Sequence, residues 1–235
     1  MHTPDADRLR IAETFDSLQG EGGLVGVPSY FIRTTGCNLR CDWCDTPYTS
    51  WTPEGEWWSI GDIAAAVPPH RSHVVITGGE PMLWPNLPRL CDALRADGRH
   101  VTIETAGTVF QELACDLMSV SPKLSNSDPA EERDAAARAA HRERRLDVGV
   151  LARLMRAYTF QLKLVIASPQ DLVEVDALLA RLPPVDPLDV VLMPLGTETA
   201  ELAERGRWLA DVCMTRGYRF TPRLHIDLFG NARGT

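Results

Sequence analysis

Cys37-Asn38-Leu39-Arg40-Cys41-Asp42-Trp43-Cys44 puts three cysteines in the pattern C-x3-C-x2-C, with an aromatic residue before the last. Three thiolates can hold three irons of a 4Fe-4S cluster and leave the fourth iron open to a ligand. A cluster held by four cysteines mainly moves electrons. The competing reading is a structural zinc site, which wants four Cys or His ligands in C-x2-C pairs. The nearest histidine along the chain is His70. Cys91, Cys115 and Cys213 are isolated and read as small buried hydrophobes. A second feature, Gly78-Gly79-Glu80-Pro81, ends an apolar stretch. By itself it is a turn; beside a ligand, its glycines would allow close backbone approach.

The elements that must position these residues alternate in type. Strands are expected at 28–35, 73–77, 101–105, 117–121, 161–166 and 190–193, with a last one at Leu224–Leu228. Helices are expected at 59–67 with a Ser59 N-cap, at 86–97 with Gly98 closing it, at 171–182 and at 197–216. Alternating strands and helices imply a parallel sheet with crossovers, and such barrels carry their sites at the C-terminal strand ends. Cys37, Gly78-Gly79-Glu80, Glu104, Ser121-Pro122-Lys123 and Met193-Pro194 all fall at such ends. The expected fold is therefore α/β: one domain over 1–235 forming a partial, open (β/α) barrel. The charge-dense stretch within 125–157 is expected to be a solvated helical insertion, a basic docking patch being the sharper alternative.

Net charge is −8, which disfavours a nonspecific nucleic-acid binder. No apolar run reaches the ~18 residues of a membrane span. The start, MHTPDADRLR, carries charges where an export signal needs an apolar stretch. These readings point to a soluble protein of the reducing cytoplasm.

The cysteine pattern with Trp43 resembles the radical S-adenosylmethionine (SAM) superfamily, in which the open iron chelates SAM and the cofactor supplies a 5′-deoxyadenosyl radical. Further motifs occur in one order: Leu18-Gln19-Gly20-Glu21-Gly22, Arg33, Gly36-Cys37-Asn38-Leu39, Asp45-Thr46, Thr77-Gly78-Gly79-Glu80-Pro81, Glu104-Thr105, Ser121-Pro122-Lys123 and Gln161-Leu162-Lys163. This set resembles the 7-carboxy-7-deazaguanine synthase family from about Glu13 to the C-terminus, with 125–157 as the poorest match. The resemblance implies ring contraction of 6-carboxy-5,6,7,8-tetrahydropterin with loss of ammonia, on the route to 7-deazapurines such as queuosine. It also implies Mg2+, catalytic use of SAM, a homodimer and an electron donor such as flavodoxin.

By position, the resemblance makes Cys37, Cys41 and Cys44 the cluster ligands. Trp43, Cys44, Asp45, Gly79, Ser121, Pro122 and Lys123 match SAM contacts, and Glu80 is suited to accept from the SAM ammonium. Leu18, Gln19 and Gly20 match the pterin-binding segment, with Glu21 a further contact. Arg33 is suited to the substrate carboxylate and Thr77 to a hydrogen bond with the substrate. Thr46 offers a hydroxyl to Mg2+ or caps the following segment. Glu104 is given no role beyond a buried ion pair. Trp51, Trp57 and Trp58 are expected to cover the loop after the cluster. Near Leu192-Met193-Pro194-Leu195-Gly196 the chain lacks the polar ends of a comparable SAM segment in some relatives.

The tail from Phe229 either frays or folds back over the barrel mouth, where the terminal carboxylate of Thr235 would accept from the amino-pyrimidine edge of the pterin. Within the superfamily, a glycyl-radical-enzyme activase is the rival, although Asp45-Thr46 stands where those enzymes tend to carry His-Asn. A zinc-stabilised, non-catalytic binding module is the rival of another class.

Cys37→Ala, Cys41→Ala and Cys44→Ala are each expected to abolish cluster assembly, whereas Cys91→Ala, Cys115→Ala and Cys213→Ala keep it. Iron and sulfide counts after anaerobic reconstitution check this, and a full cluster in Cys41→Ala would refute it.

Overall fold

A strand of a parallel sheet is usually covered on both faces and reads as one apolar run. Here the strands alternate instead. Ile32, Ile76, Ile103, Val120 and Leu164 are buried in one core, while Arg33, Thr77, Glu104 and Lys163, one residue further on or back, line a cavity. The sheet therefore has an apolar face against helices and a polar face around a hollow.

The computed structural model describes residues 7–235. Met1–Ala6, the beginning of the stretch read above for an export signal, lie outside the described residues. The elements in order are β1 (Arg8–Leu18), β2 (Pro28–Thr34), α1 (Pro47–Ser50), β3 (Glu56–Ser59), α2 (Ile60–Ala66), β4 (His73–Gly78), α3 (Leu87–Ala96), β5 (His100–Thr105), β6 (Leu117–Val120), α4 (Ala135–Arg144), α5 (Val148–Ala157), β7 (Phe160–Ile166), α6 (Asp171–Leu179), β8 (Val190–Pro194), α7 (Thr199–Arg216), β9 (Arg219–Phe220) and α8 (Leu224–Phe229).

They build one nine-stranded sheet in the order β3-β1-β2-β4-β5-β6-β7-β8-β9. β1 runs antiparallel to β2 and β3, and every other pair is parallel. The edge strands β3 and β9 do not pair with each other, so the barrel is partial and open. Register keeps like faces together: Arg33 pairs with Thr77, Glu104 with Ser119, and Ser119 with Gln161.

Helices pack on the apolar face. α2 is capped by Ser59, whose hydroxyl accepts from the Asp62 N–H. α3 buries Leu87, Leu90, Cys91 and Leu94 completely, each leucine contributing roughly 1.5–3 kcal/mol of transfer free energy. Gly98 follows α3 at φ +73°, a left-handed position that glycine takes without a Cβ penalty. Among the described residues, no helix is long and apolar enough to cross a membrane.

Three expectations change. Leu224–Leu228 is not a strand but lies within α8. Leu-His-Ile-Asp-Leu alternates like a strand, yet β9 is only two residues long and the chain then turns across the barrel mouth, where the Leu224 N–H donates to the Gly20 carbonyl at 2.9 Å. As a helix the segment buries Ile226 and leaves Leu228 and Phe229 exposed. The charge-dense block within 125–157 does form an exposed helix, but the stretch also holds a second, packed one. α4 is largely exposed, whereas α5 buries Leu151, Leu154 and Met155 as the crossover from β6 to β7. Finally, of the three tryptophans only Trp51 meets the cysteine loop, donating to the Cys41 carbonyl at 3.0 Å. Trp57 packs edge-on against Trp84. β1 and β3, unforeseen, add the antiparallel edge.

Candidate active site

The polar face and the strand-end loops enclose a cavity of about 830 Å3. Six cationic and four acidic side chains line it, an inversion of the chain's negative net charge. Such a cavity suits anionic ligands.

Cys37, Cys41 and Cys44 all line one end. Their loop is fixed by a backbone seam. The Gly79 N–H donates to the Thr34 carbonyl at 3.2 Å and the Glu80 N–H to the Gly36 carbonyl at 2.9 Å. A Cβ on Gly79 would strike the Gly36 carbonyl and come within 2.9 Å of the Cys37 Cβ. Gly78, at φ +139°, is pressed against Thr34 in the same way. The glycines thus serve the approach of one loop to another.

Glu80 completes this seam and is not open to a ligand. It is fully buried and accepts from the Met82 N–H, the Thr105 hydroxyl and the Ala106 N–H, all within 3.0 Å. Both oxygens are taken inside the seam, so Glu80 does not face a SAM ammonium as expected.

Burial pushes the Cys37 and Cys41 thiols up to about 12, so without a metal they stay protonated. Among the described residues, no three His, Cys, Asp or Glu side chains gather around a single-ion position, so the zinc reading finds no site. A four-iron cluster spaces its thiolates more widely, and three cysteines at the wall of a large cavity fit one with an open iron.

Trp43, Asp45, Gly79, Ser121 and Lys123 line the cavity near these cysteines. Lys123 donates to the Ser121 carbonyl at 2.7 Å and hydroxyl at 2.8 Å. Pro122 lies between them but is buried behind the wall. The Trp43 indole N–H is spent on the Asn126 carbonyl at 2.8 Å, which leaves the ring for packing. Met193, Pro194, Leu195 and Gly196 also reach the wall, so this segment takes part without polar side chains. Thr46 stands at the N-cap of α1 but makes no side-chain cap bond. Its hydroxyl lies 3.8 Å from the Cys44 sulfur.

A charge network also lines the cavity and reaches the cysteine loop through Asp45. Glu104 accepts from Gln19 Nε2 at 3.2 Å and from the Thr77 hydroxyl at 2.9 Å. Lys163 Nζ lies 3.7 Å from Glu104 and 2.5 Å from Glu21. Arg223 joins Glu21 at 3.0 Å, the Gly196 carbonyl at 2.7 Å and the Asp45 carboxylate. Leu18 and Gly20 line the wall beside it, and a Cβ on Gly20 would collide with the His225 ring. Burial opposes ionisation of Glu21, but Lys163 and Arg223 outweigh it and hold the carboxylate well below its usual range.

Arg33 stacks over Phe15 and donates from Nε to Glu13 at 2.7 Å. Glu13 also accepts from the Tyr48 hydroxyl at 2.7 Å and from Arg233 of the tail at 3.0 Å. Asn231 to Thr235 line the mouth, so the tail folds back and is not frayed.

Lys163 carried a signal in the sequence, the one cation of a mostly apolar strand that also holds Gln161. Arg223 carried none, and Glu104, legible only as an ion-pair partner, also meets Gln19 and Thr77.

A relative from Halobacterium salinarum named 7-carboxy-7-deazaguanine synthase is 46% identical over 98% of this chain and 94% of its own length. The chain belongs to the 7-carboxy-7-deazaguanine synthase family. The Radical SAM superfamily profile matches residues 31–160. A second synthase of that name, from Rhodopirellula baltica, is 45% identical over 97% of the chain and 89% of the relative. The crystal structure of QueE from Escherichia coli superposes with a TM-score of 0.70 at 29% identity, covering 93% of this chain and 95% of that one. These relatives bear the synthase name and not that of an activase, and the synthase family's fold is the partial open barrel described above.

Glu21→Gln is expected to destabilise the protein at neutral pH by about 3–5 kcal/mol, because Lys163 and Arg223 lose a buried counter-charge. A carboxylate whose folded pKa is depressed gives stability that is present above its unfolded pKa and lost as pH falls. The parent should therefore weaken below about pH 4.3, and the gap to Glu21→Gln should narrow there. Urea unfolding at several pH values measures this, and a constant gap would contradict it.

Proposed function

We propose that this chain converts 6-carboxy-5,6,7,8-tetrahydropterin to 7-carboxy-7-deazaguanine and ammonia. The conversion is redox neutral: the ring loses one nitrogen, which leaves as ammonia, and SAM is used catalytically. One observation carries the reading. A single cavity is lined both by three cysteines and by a carboxylate, carboxamide and guanidinium set, in a chain that matches two synthase relatives over 98% and 97% of its length.

In this reading Cys37, Cys41 and Cys44 hold the 4Fe-4S cluster. Trp43, Cys44, Asp45, Gly79, Ser121 and Lys123 hold SAM, with Pro122 shaping the wall behind. Cluster and SAM, when bound, supply hydrogen abstraction from the pterin carbon that bears the carboxylate. The protein's own residues fix which hydrogen is exposed. The Nη groups of Arg33 take the substrate carboxylate as a fork, its Nε being held by Glu13. Glu104, oriented by Gln19 and Thr77, accepts from the amino-pyrimidine edge, with Leu18 and Gly20 forming the adjacent wall. Thr235 and the tail close the mouth and exclude water, with the terminal carboxylate of Thr235 a second acceptor for the amino-pyrimidine edge. Thr46, whose hydroxyl is not spent on capping, is the Mg2+ ligand beside the substrate carboxylate. A homodimer, reduction by a flavodoxin, a cytoplasmic setting and entry of the product into queuosine-type 7-deazapurine synthesis complete the reading, on the family resemblance.

Anaerobic turnover of the carboxypterin with SAM and dithionite should give 7-carboxy-7-deazaguanine. Its absence from protein bearing a full cluster would overturn the reaction. Arg33→Ala should weaken carboxypterin binding by about 2–5 kcal/mol while SAM binding holds; equal loss of both would remove Arg33 from substrate binding.

Activity is expected to rise with added Mg2+, and Thr46→Val to blunt that rise. An Mg2+ titration of initial rates decides this, and identical titration curves for the two proteins would exclude Thr46 as a ligand.

A further inference from the structure

The charged insertion is tied to the cysteine loop at the backbone. His141 of α4 is 1% exposed, and its Nδ1 accepts the Arg40 N–H at 3.1 Å. An accepting Nδ1 puts the ring proton on Nε2, which faces the Ser127 hydroxyl at 3.0 Å. That hydroxyl in turn donates to the Leu124 carbonyl at 2.6 Å. Burial keeps the ring neutral by pulling its pKa down to about 4, which suits this tautomer. The next alternate amide of the loop, Asp42 N–H, donates to the Ser127 carbonyl at 3.0 Å. The Arg40 guanidinium closes the same turn on the Cys37 and Leu39 carbonyls at 2.8 and 2.7 Å.

Two of the three amides between the first two cysteines therefore have different fates. The Leu39 N–H donates to the Cys37 sulfur at 3.4 Å, whereas the Arg40 N–H is taken by an imidazole. An N–H placed on a cluster sulfur stabilises the reduced, more negative cluster and raises its potential. A loop that gave both amides to sulfur would hold a weaker reductant.

We infer that His141 is a positioning residue of the cysteine loop: it holds the Arg40 amide off the cluster sulfurs and so keeps the cluster strongly reducing. This inference rests on the 4Fe-4S reading of the site.

Two substitutions separate its two bonds. Asn at 141 presents an oxygen near the place of Nδ1 and can still accept from Arg40. Gln presents its polar atoms near the place of Nε2 and can still meet Ser127. The reconstituted parent, His141→Asn, His141→Gln and His141→Leu are compared by iron content, EPR of the reduced cluster and midpoint potential. The expected result is a parent-like spectrum and potential in His141→Asn, and altered g-values with a higher potential in both His141→Gln and His141→Leu. Cluster loss in Gln and Leu with retention in Asn supports the same conclusion. Equal shifts, or equal loss of iron, in Asn and Gln would show that His141 only packs, as would parent-like spectra in all three. A parent that binds no four-iron cluster would instead defeat the reading of the site itself.

Discussion

The backbone of Gly79 lies against the backbone of Gly36 with no room for a Cβ, and the site is built outward from that contact. Two amides of the Gly78-Gly79-Glu80 turn donate across it, and buried Glu80 draws in Thr105 and Ala106 from the neighbouring strand end. Three strand ends are thus locked before any ligand is bound. The position of Cys37 follows directly, and the remaining cysteines follow through the short loop. A buried carboxylate is a costly way to make such a joint, but this one is given donors on both oxygens, and an unmade hydrogen bond there would cost more.

The second constraint is electrostatic. A parallel sheet with a polar inner face must bury charges, and the inner face meets this with alternating partners. Glu104, Lys163, Glu21, Arg223 and Asp45 form a continuous chain from the middle of the sheet to the cysteine loop. Buried pairs of this kind contribute little net stability, because desolvation offsets attraction. What they contribute is position. The end proposed for the substrate and the loop proposed for the cofactor are connected through Arg223, which also pins Gly196. In a cavity where a hydrogen must be removed from one chosen carbon, fixed placement of both partners lowers the barrier without any new bond.

Segments outside the barrel frame finish the site. The tail reaches the mouth because Arg233 finds Glu13, Glu54 and the face of Tyr48. The α4 segment reaches the cysteine loop because His141 and Ser127 offer acceptors to its amides, while Arg133 stacks on Trp51 from outside. Both are polar, charge-rich stretches that a core would not accept. Each is held by directional bonds and not by apolar area.

What the sequence determined by itself was local. Cysteine spacing, the paired glycines, the Ser59 cap and the strand and helix periods are each complete within a few residues, so the barrel class and the cluster end were legible. Distant pairing was not. Gln19 meets Glu104, Glu21 meets Arg223, and Arg40 meets His141, pairs that lie 85, 202 and 101 residues apart. No local pattern encodes such a choice, because a buried charge is indifferent to which opposite charge it finds until the sheet order brings one near. Leu224–Leu228 shows the same limit for backbone: its alternation suits either a strand or a short helix. Only the end of the sheet at β9 and the waiting carbonyl of Gly20 selected the helix.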